Sequence, residues 1–403
     1  MLFKRRIYYV ISYIKIKIIN IFDVIITSFI QITMYFHQNK DWPNFKWDND
    51  TILPYVSKVR NLQGRLIGKM ESIGFELREE AVLQTLTEDV IKSSEIEGEL
   101  LNPEEVRSSV ARRLGIEIAG LPNTSRHVEG VVEMMLDATQ KYTEFLTKDR
   151  ICGWHAALFP TGRSGMYKIT VGDWRGDERG PMQVVSGPMG REKVHYTAPE
   201  ASKLEEEMNQ FIKWFNTDTK TEPVIKSGIA HLWFVSIHPF DDGNGRIARA
   251  IADTQLAISD RTNQRFYSMS GQIMKYKKGY YDILESTQKG SLDISQWLVW
   301  YFERLTGALE ITNHTLAKIL VKAKFWDVHK TTQFNERQIE MINKLQSDFI
   351  GKLHSSKWAK MTKVHRDTAR RDIQDLIEKG VLSDSGEGGR STNYILNLPN
   401  LNS

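Results

Sequence analysis

The sequence predicts a mainly α fold with one small β-hairpin, and three observations predict it. Apolar residues recur at three- and four-residue spacing along most of the 403 residues, the pattern of helices that bury one stripe. Between Thr161 and Pro199 that pattern gives way to glycines at 162, 165, 172, 176, 180, 187 and 190, with two short β-type runs. Helical spacing then returns and holds to about Lys324, after which the last seventy or so residues form a separate small unit of helices, a Gly-rich loop and a strand.

The first stretch is the least regular. KRR at 4–6 precedes an Ile/Lys/Tyr/Phe-rich run that resembles a signal peptide or membrane anchor, but Lys15, Lys17 and Asp23 leave no uncharged stretch of about 18 residues. Met34 is therefore read as the start, with residues 1–33 a translated upstream extension; a membrane anchor and a buried or peripheral helix are the other readings. NKDWPNFKWDND (39–50) is irregular. From Leu53 to Leu114 few breakers occur, and Leu83, Leu86, Val90 and Ile91 mark an amphipathic stripe, so a long helical region is expected there. After a polar break at Asn123–Arg126 a helix runs from His127 toward Phe145, and ICGWHAALFP (151–160) is a short buried helix ended by Pro160.

QVV (183–185) and KVHY (193–196) about the turn SGPMG read as a hairpin. ASKLEEEMNQFIKWFN opens the next helical stretch. Near the C-terminus, FNERQIEMINKL is a helix, SSKWAKMTKVHRDTARRDIQDLIEKGVL two helices about a turn, and GEGGRSTNYIL a loop into a strand, together a winged helix-turn-helix pattern. Its helix His365–Lys379 carries Arg366, Arg370 and Arg371, offset by Asp367, Asp372, Asp375 and Glu378. Protein docking or packing therefore reads ahead of DNA binding, which phosphate attraction dominates.

Composition sets the class. With 41% hydrophobic and 26% charged residues the chain is not disordered or fibrous, and a net charge of +4 is too small to argue for a nucleic-acid or membrane partner. The single cysteine, Cys152, excludes an intrachain disulfide and fits a reducing cytoplasm. No GxxxxGK[ST] loop, no GxGxxG after a strand and no HExxH helix is present.

The chemistry concentrates in HPFDDGNGRIARA, His238 to Ala250. A helix breaks at Pro239, the glycines allow a tight loop, and the loop enters a second helix whose N-terminal N–H groups and dipole favour an anion. Arg246 and Arg249, three apart, share that helix's face. Two aspartates ahead of the glycines suit an anion only if one holds Mg²⁺, whose hard character fits carboxylate and phosphate oxygens. His238 beside such a metal-bound polyphosphate could accept a hydroxyl proton. The parts imply transfer of a phosphate-containing group to an alcohol or phenol.

HPFDDGNGRIAR matches in full the signature HxFx(D/E)GNGRxxR, and the chain here resembles the Fic family. The resemblance implies a mostly helical fold and a protein adenylyltransferase, an enzyme that moves AMP from ATP to Ser, Thr or Tyr hydroxyls, its own included, releasing pyrophosphate. It implies His238 as general base, Phe240 as a core anchor and Asp242, not Asp241, as the Mg²⁺ ligand. Gly243, Asn244 and Gly245 would surround the α- and β-phosphates, and Arg246 and Arg249 the β- and γ-phosphates. The hairpin over 182–196 would be a flap on which a target protein docks as an added strand. KYKKGYYDILE resembles the family's segment near the adenine, which places Tyr280 and Lys275 there. GMYK (165–168) departs from the family, where many relatives have Arg at the last position.

KSSEIEGELL fits the family's inhibitory pattern (S/T)xxxE(G/N) through Ser93, Glu97 and Gly98. The resemblance implies that Glu97 pairs with Arg249 and holds the place of the γ-phosphate. A desolvated Arg–carboxylate pair is strong, and ATP with that phosphate displaced is misaligned for in-line attack. It also implies the self-inhibited subgroup with an N-terminal inhibitory helix, and a winged helix is a common companion; a homodimer is compatible with it. The organisation expected is residues 34–125 as the N-terminal helical domain, 126–305 the Fic catalytic domain, 306–332 a linker helix and 333–403 the winged helix-turn-helix. Two other functions use the same residues. One is removal of AMP, with Glu97 positioning water. The other is a DNA-binding regulator whose Fic core senses nucleotide. The donor, moreover, could be another nucleotide or a phosphocholine-bearing one.

Overall fold

The computed structural model describes residues 34–116, 122–178, 180–188, 190–346, 349, 351–385 and 393–399. The expected extension 1–33 lies outside them. Among the described residues no helix is long and apolar enough to cross a membrane. The chain divides into two compact units, one running up to Asn61 and resuming over Glu79–Thr306, the other formed by Leu62–Arg78 and Gly307–Ser403.

The region expected as one long helical stretch is three helices: α1 (Asn49–Ser72), α2 (Phe75–Ile96) and α3 (Pro103–Leu114). The chain leaves α2 through Gly98, which sits at φ 85°. It re-enters at Asn102, whose side chain caps α3 by accepting from the Glu104 and Glu105 N–H groups ahead of Pro103. The helix expected from His127 toward Phe145 is α4 (Arg126–Gln140), capped by Ser125, and α5 (Lys148–Leu158) follows with Thr147 as its cap.

Two antiparallel pairs occupy the Gly-rich region: β1 (Arg163–Ser164) with β2 (Tyr167–Lys168), and β3 (Gln183–Ser186) with β4 (Lys193–Thr197). The second pair is the expected hairpin. Its ladder slips by one residue between Val184 and Val185, so that His195 is left as the bulged residue opposite them. Tyr196 anchors the hairpin by donating from its hydroxyl to the Ser236 carbonyl at 2.8 Å and packing edge-on against Tyr35.

The core of this unit is helical. α6 (Leu204–Thr217) buries Leu204, Met208, Phe211 and Phe215, an i, i+4, i+7, i+11 stripe. Phe211 meets Trp233 and Phe234 of α7 (Pro223–Ile237), a helix buried along its whole length. α7 packs against α8 (Asn244–Asp260), and α9 (Met269–Lys275), α10 (Lys277–Gln288) and α11 (Ser295–Val328) complete the helices up to the C-terminal module. A buried Arg265–Asp253 pair at 2.7 Å fixes the loop after α8, and Asp89 of α2 accepts from the Ser268 hydroxyl at 2.6 Å and the Ser270 N–H at 3.1 Å at the start of α9.

In the second unit α12 (Glu336–Leu345), α13 (Ser355–Thr362) and α14 (Arg366–Glu378) close over Phe325, Trp358, Ile373 and Leu376 with β5 (Leu382–Asp384) and β6 (Tyr394–Leu396). The acids counted against DNA binding are not all on the outside. Asp372 is buried against Arg337 at 2.9 Å, and Asp375 accepts from Gln338 and Lys379, whereas Arg366, Arg370 and Arg371 are exposed.

Candidate active site

The signature loop is held in an uncommon conformation from both sides. His238 ends α7 at φ 52°, ψ 57°, a left-handed conformation few non-glycine residues adopt. The buried Arg175 braces it: its Nε donates to the His238 carbonyl at 2.8 Å and its backbone N–H to the Pro239 carbonyl at 2.9 Å. From the far side Asn244 spans the loop, its Nδ2 donating to the Phe240 carbonyl at 2.8 Å and its Oδ1 accepting from the Phe240 N–H at 3.0 Å. The Asn244 side chain is thereby spent on the loop, and only its backbone is left for a ligand. Phe240 is fully buried and stacks flat on His155 at 4.0 Å, which makes it the expected anchor.

His238 Nδ1 lies 3.1 Å from the Val235 carbonyl, which assigns the proton to Nδ1 and leaves Nε2 as the acceptor. Burial pulls the imidazole down to about 4. It is therefore neutral at pH 7 and ready to take a proton. Cys152, by contrast, is pushed up to about 11 by burial and is no nucleophile.

The N-terminus of α8 has no side-chain cap. Gly243 stands there at φ 82°, and a Cβ on it would come within 2.9 Å of Phe159, so both backbone and packing require glycine. The two aspartates have different partners. Asp241 accepts the Thr170 N–H at 2.9 Å, while Asp242 accepts from the Gly243 N–H at 2.6 Å and the Ser164 hydroxyl. Asp242, with a side chain 42% exposed, suits Mg²⁺ as one carboxylate ligand. No group of three or more His, Cys, Asp or Glu able to hold a metal occurs among the described residues.

Both signature arginines are occupied by carboxylates from the turn after α2. Arg249 is buried, with Nε donating to the Ser93 hydroxyl at 2.9 Å and Nη2 to the Ser93 carbonyl and to Glu97 Oε1, each at 2.8 Å. Burial disfavours its charge, and Glu97 more than restores it. A Cβ on Gly245 would meet Glu97 Oε1 at 2.0 Å, which puts the carboxylate directly over the uncapped start of α8. Among the described residues Arg249 Nη1 is buried without a hydrogen-bond partner. Arg246 donates from Nη1 to Glu99 Oε2 at 2.6 Å, and Glu99 Oε1 meets His127 Nε2 at 2.6 Å. Ser93, Glu97 and Gly98 were legible from the pattern; Glu99, His127 and Arg175 were not, because they belong to no pattern that links them to their partners.

A cavity of about 450 Å³ opens beside this loop between the hairpin and α10, lined by Glu97, His238, Gly245, Val184, Tyr280 and Tyr281 among others. Tyr280 is buried there and donates to or accepts from His231 Nε2 at 2.8 Å. Lys275 is exposed at the end of α9, over the Tyr276 ring at 5.5 Å, and does not line the cavity.

Residues 35–116 match a domain of unknown function, DUF4172, and residues 145–256 match the Fic/DOC family. The chain is similar to the protein adenylyltransferase Fic of Aedes aegypti, at 29% identity over 114 residues that cover 27% of this chain and 22% of that protein, so it spans about a fifth of that relative's length. Among solved structures it is similar to a Fic family protein from Desulfovibrio desulfuricans, with 19% identity, a TM-score of 0.48 and coverage of 87% of this chain and 97% of the other. It is also similar to a Fic-domain signaling protein from Bacteroides thetaiotaomicron, at 20% identity and TM-score 0.46, covering 68% of this chain and 97% of that one. The loop that carries His238, Asp242, Arg246 and Arg249 thus lies in the segment, residues 145–256, that the Fic/DOC family model matches.

Proposed function

We propose that the chain is a protein adenylyltransferase that moves AMP from ATP to protein hydroxyls and restrains itself through Glu97. The observation that carries this reading is the place of the Glu97 carboxylate, 2.8 Å from Arg249 and seated over Gly245 at an uncapped helix start. A negatively charged group is stabilised at such a position. A nucleotide phosphate and Glu97 would compete for it.

In the open form, α8 and the two arginines bind the polyphosphate, and Asp242 is the ligand for Mg²⁺, which when bound neutralises phosphate charge. His238 Nε2 takes the proton of the attacking hydroxyl, and the departing pyrophosphate carries off the electron pair of the broken P–O bond. The flap β3–β4 presents an edge on which an extended target segment can dock. The C-terminal unit has the element order of a winged helix-turn-helix and is read as a companion module.

Glu97→Gly in the presence of ATP and Mg²⁺ is expected to label proteins of a cell extract with adenylate at least tenfold faster than the wild type. Glu97→Gly/His238→Ala is expected to lose that labelling, and Glu97→Gly/Asp242→Ala to lose it through the metal. An unchanged rate in Glu97→Gly rejects the restraint, and labelling that survives in Glu97→Gly/His238→Ala rejects His238 as the base. Release of AMP from pre-labelled protein by wild type but not by Glu97→Gly would make removal, with Glu97 positioning water, the better reading.

A further inference from the structure

A second hydrogen-bonded chain of reactive side chains stands in the same cavity and takes no part in the scheme above. Ser186, the last residue of β3, has its hydroxyl 2.6 Å from His195 Nε2, and His195 Nδ1 lies 2.5 Å from Glu285 Oε2 on α10. A hydroxyl, an imidazole and a carboxylate in that order are the parts of an activated serine: the acid holds the Nδ1–H tautomer and leaves Nε2 to accept the hydroxyl proton. The β-bulge contributes, since His195 is the extra residue, and bulges re-aim side chains beside functional sites. Glu285 is firmly ionised. Burial works against its charge, but hydrogen bonds from Lys289 and His195 outweigh it and pull the carboxyl down to about 2, with Lys193 3.5 Å away as a further cation.

Ser186 and His195 line the cavity that Glu97, His238 and Gly245 also line. Its size, about 450 Å³, lies within the range of small-ligand pockets. Ser186 is exposed and immediately precedes Gly187 at φ 107°, in the turn that joins β3 to β4. The Ser186 hydroxyl therefore belongs to the wall of the cavity that the signature loop also borders, where the transfer reading puts the adenylyl donor.

We propose that Ser186 is the chain's own acceptor of the adenylyl group, with His195 and Glu285 as its base and orienting acid; this rests on the transfer reading given above. Ser186 Oγ forms a bond to the α-phosphorus, the bond from that phosphorus to the bridging oxygen of the β-phosphate breaks, and pyrophosphate leaves with the electron pair. The Ser186 proton passes to His195 Nε2 while Nδ1–H remains on Glu285. The product is an AMP phosphodiester on the flap.

The test is peptide mapping of full-length Glu97→Gly after incubation with ATP and Mg²⁺, with pyrophosphate release measured in the same samples. One adenylate on Ser186 is expected, absent from Glu97→Gly/Ser186→Ala. Glu97→Gly/His195→Gln should label Ser186 about 100-fold more slowly, the usual scale of general-base catalysis. Adenylate on other residues with Ser186 unmodified, or an undiminished Ser186 labelling rate after His195→Gln, overturns the proposal while transfer stands. If Glu97→Gly neither releases pyrophosphate nor gains mass, the transfer reading falls and the proposal with it.

Discussion

At Arg246 and Arg249 two carboxylates, Glu99 and Glu97, stand where the proposed function puts a polyphosphate. The two acids differ in grip. Both guanidinia are buried and both acids are about one-third exposed, but the Arg249 that Glu97 meets is also held by Ser93, whereas Glu99 is shared between Arg246 and His127. A partly exposed pair is worth about 1 kcal/mol or less. Glu99→Ala in the Glu97→Gly background is therefore expected to tighten ATP binding by about three- to fivefold, measured by titration calorimetry. Equal affinities would show that Arg246 exchanges Glu99 for phosphate without cost. The loop His238–Arg249 was legible because its chemistry is contiguous. Glu97 needed a pattern to connect it with an arginine 152 positions away, and Glu99, 147 positions from Arg246, belonged to no pattern at all.

Among the elements, the end of α2 is the moving part that the proposed function requires, and besides Arg249 of α8, contacts from α10 keep it down. The Tyr281 hydroxyl donates to the Ile96 carbonyl at 3.2 Å and Lys277 Nζ to the Glu95 carbonyl at 3.4 Å. Further back, Asp89 is buried against the start of α9. The helix is thus fixed at its middle by Asp89 and at its last turn by Arg249, which holds both Ser93 and Glu97, with Tyr281 and Lys277 adding one hydrogen bond each; release of the arginine would let the tip lift without loss of the whole helix. Tyr281→Phe removes one such bond, worth about 1 kcal/mol. It should raise the basal labelling rate of the otherwise wild-type chain by roughly three- to fivefold. No rise would place the restraint elsewhere. Apart from the pairing of Glu97 with Arg249, none of these contacts was visible in the amino-acid order, because periodicity reports which face of a helix is buried and not what it is buried against. The same limit hid the break at Ile73–Gly74 and the Ser186–His195–Glu285 chain, whose members lie on three elements.

Taken over the whole molecule, the largest pH effect comes from histidines that folding keeps neutral. In the unit containing the site, burial pulls His37, His155 and His238 to about 4 and His231 to about 3, with Lys203 adding at His37 and Arg249 at His231. Each folded-state value lies below the unfolded one, near 6.5, so the unfolded chain binds more protons as pH falls from there toward 4, and stability is lost over that window. The fully buried His155 and His231 each contribute up to about 1.4 kcal/mol per pH unit, while the half-buried His37 and His238 contribute less. Glu88, Glu207 and, most strongly, the buried Asp253 are raised by burial and work in the opposite direction. Through the interval from pH 6.5 to 5.5 four imidazoles act together to lower stability. Over it the Tm of this unit should fall by roughly 5 to 10 °C. His155→Gln should lower Tm at pH 8, since its ring stacks on Phe240, yet flatten the pH dependence by about one proton. Differential scanning calorimetry from pH 8 to 5.5 measures both, and a Tm that stays level below pH 6.5 would mean that these imidazoles take up protons without unfolding.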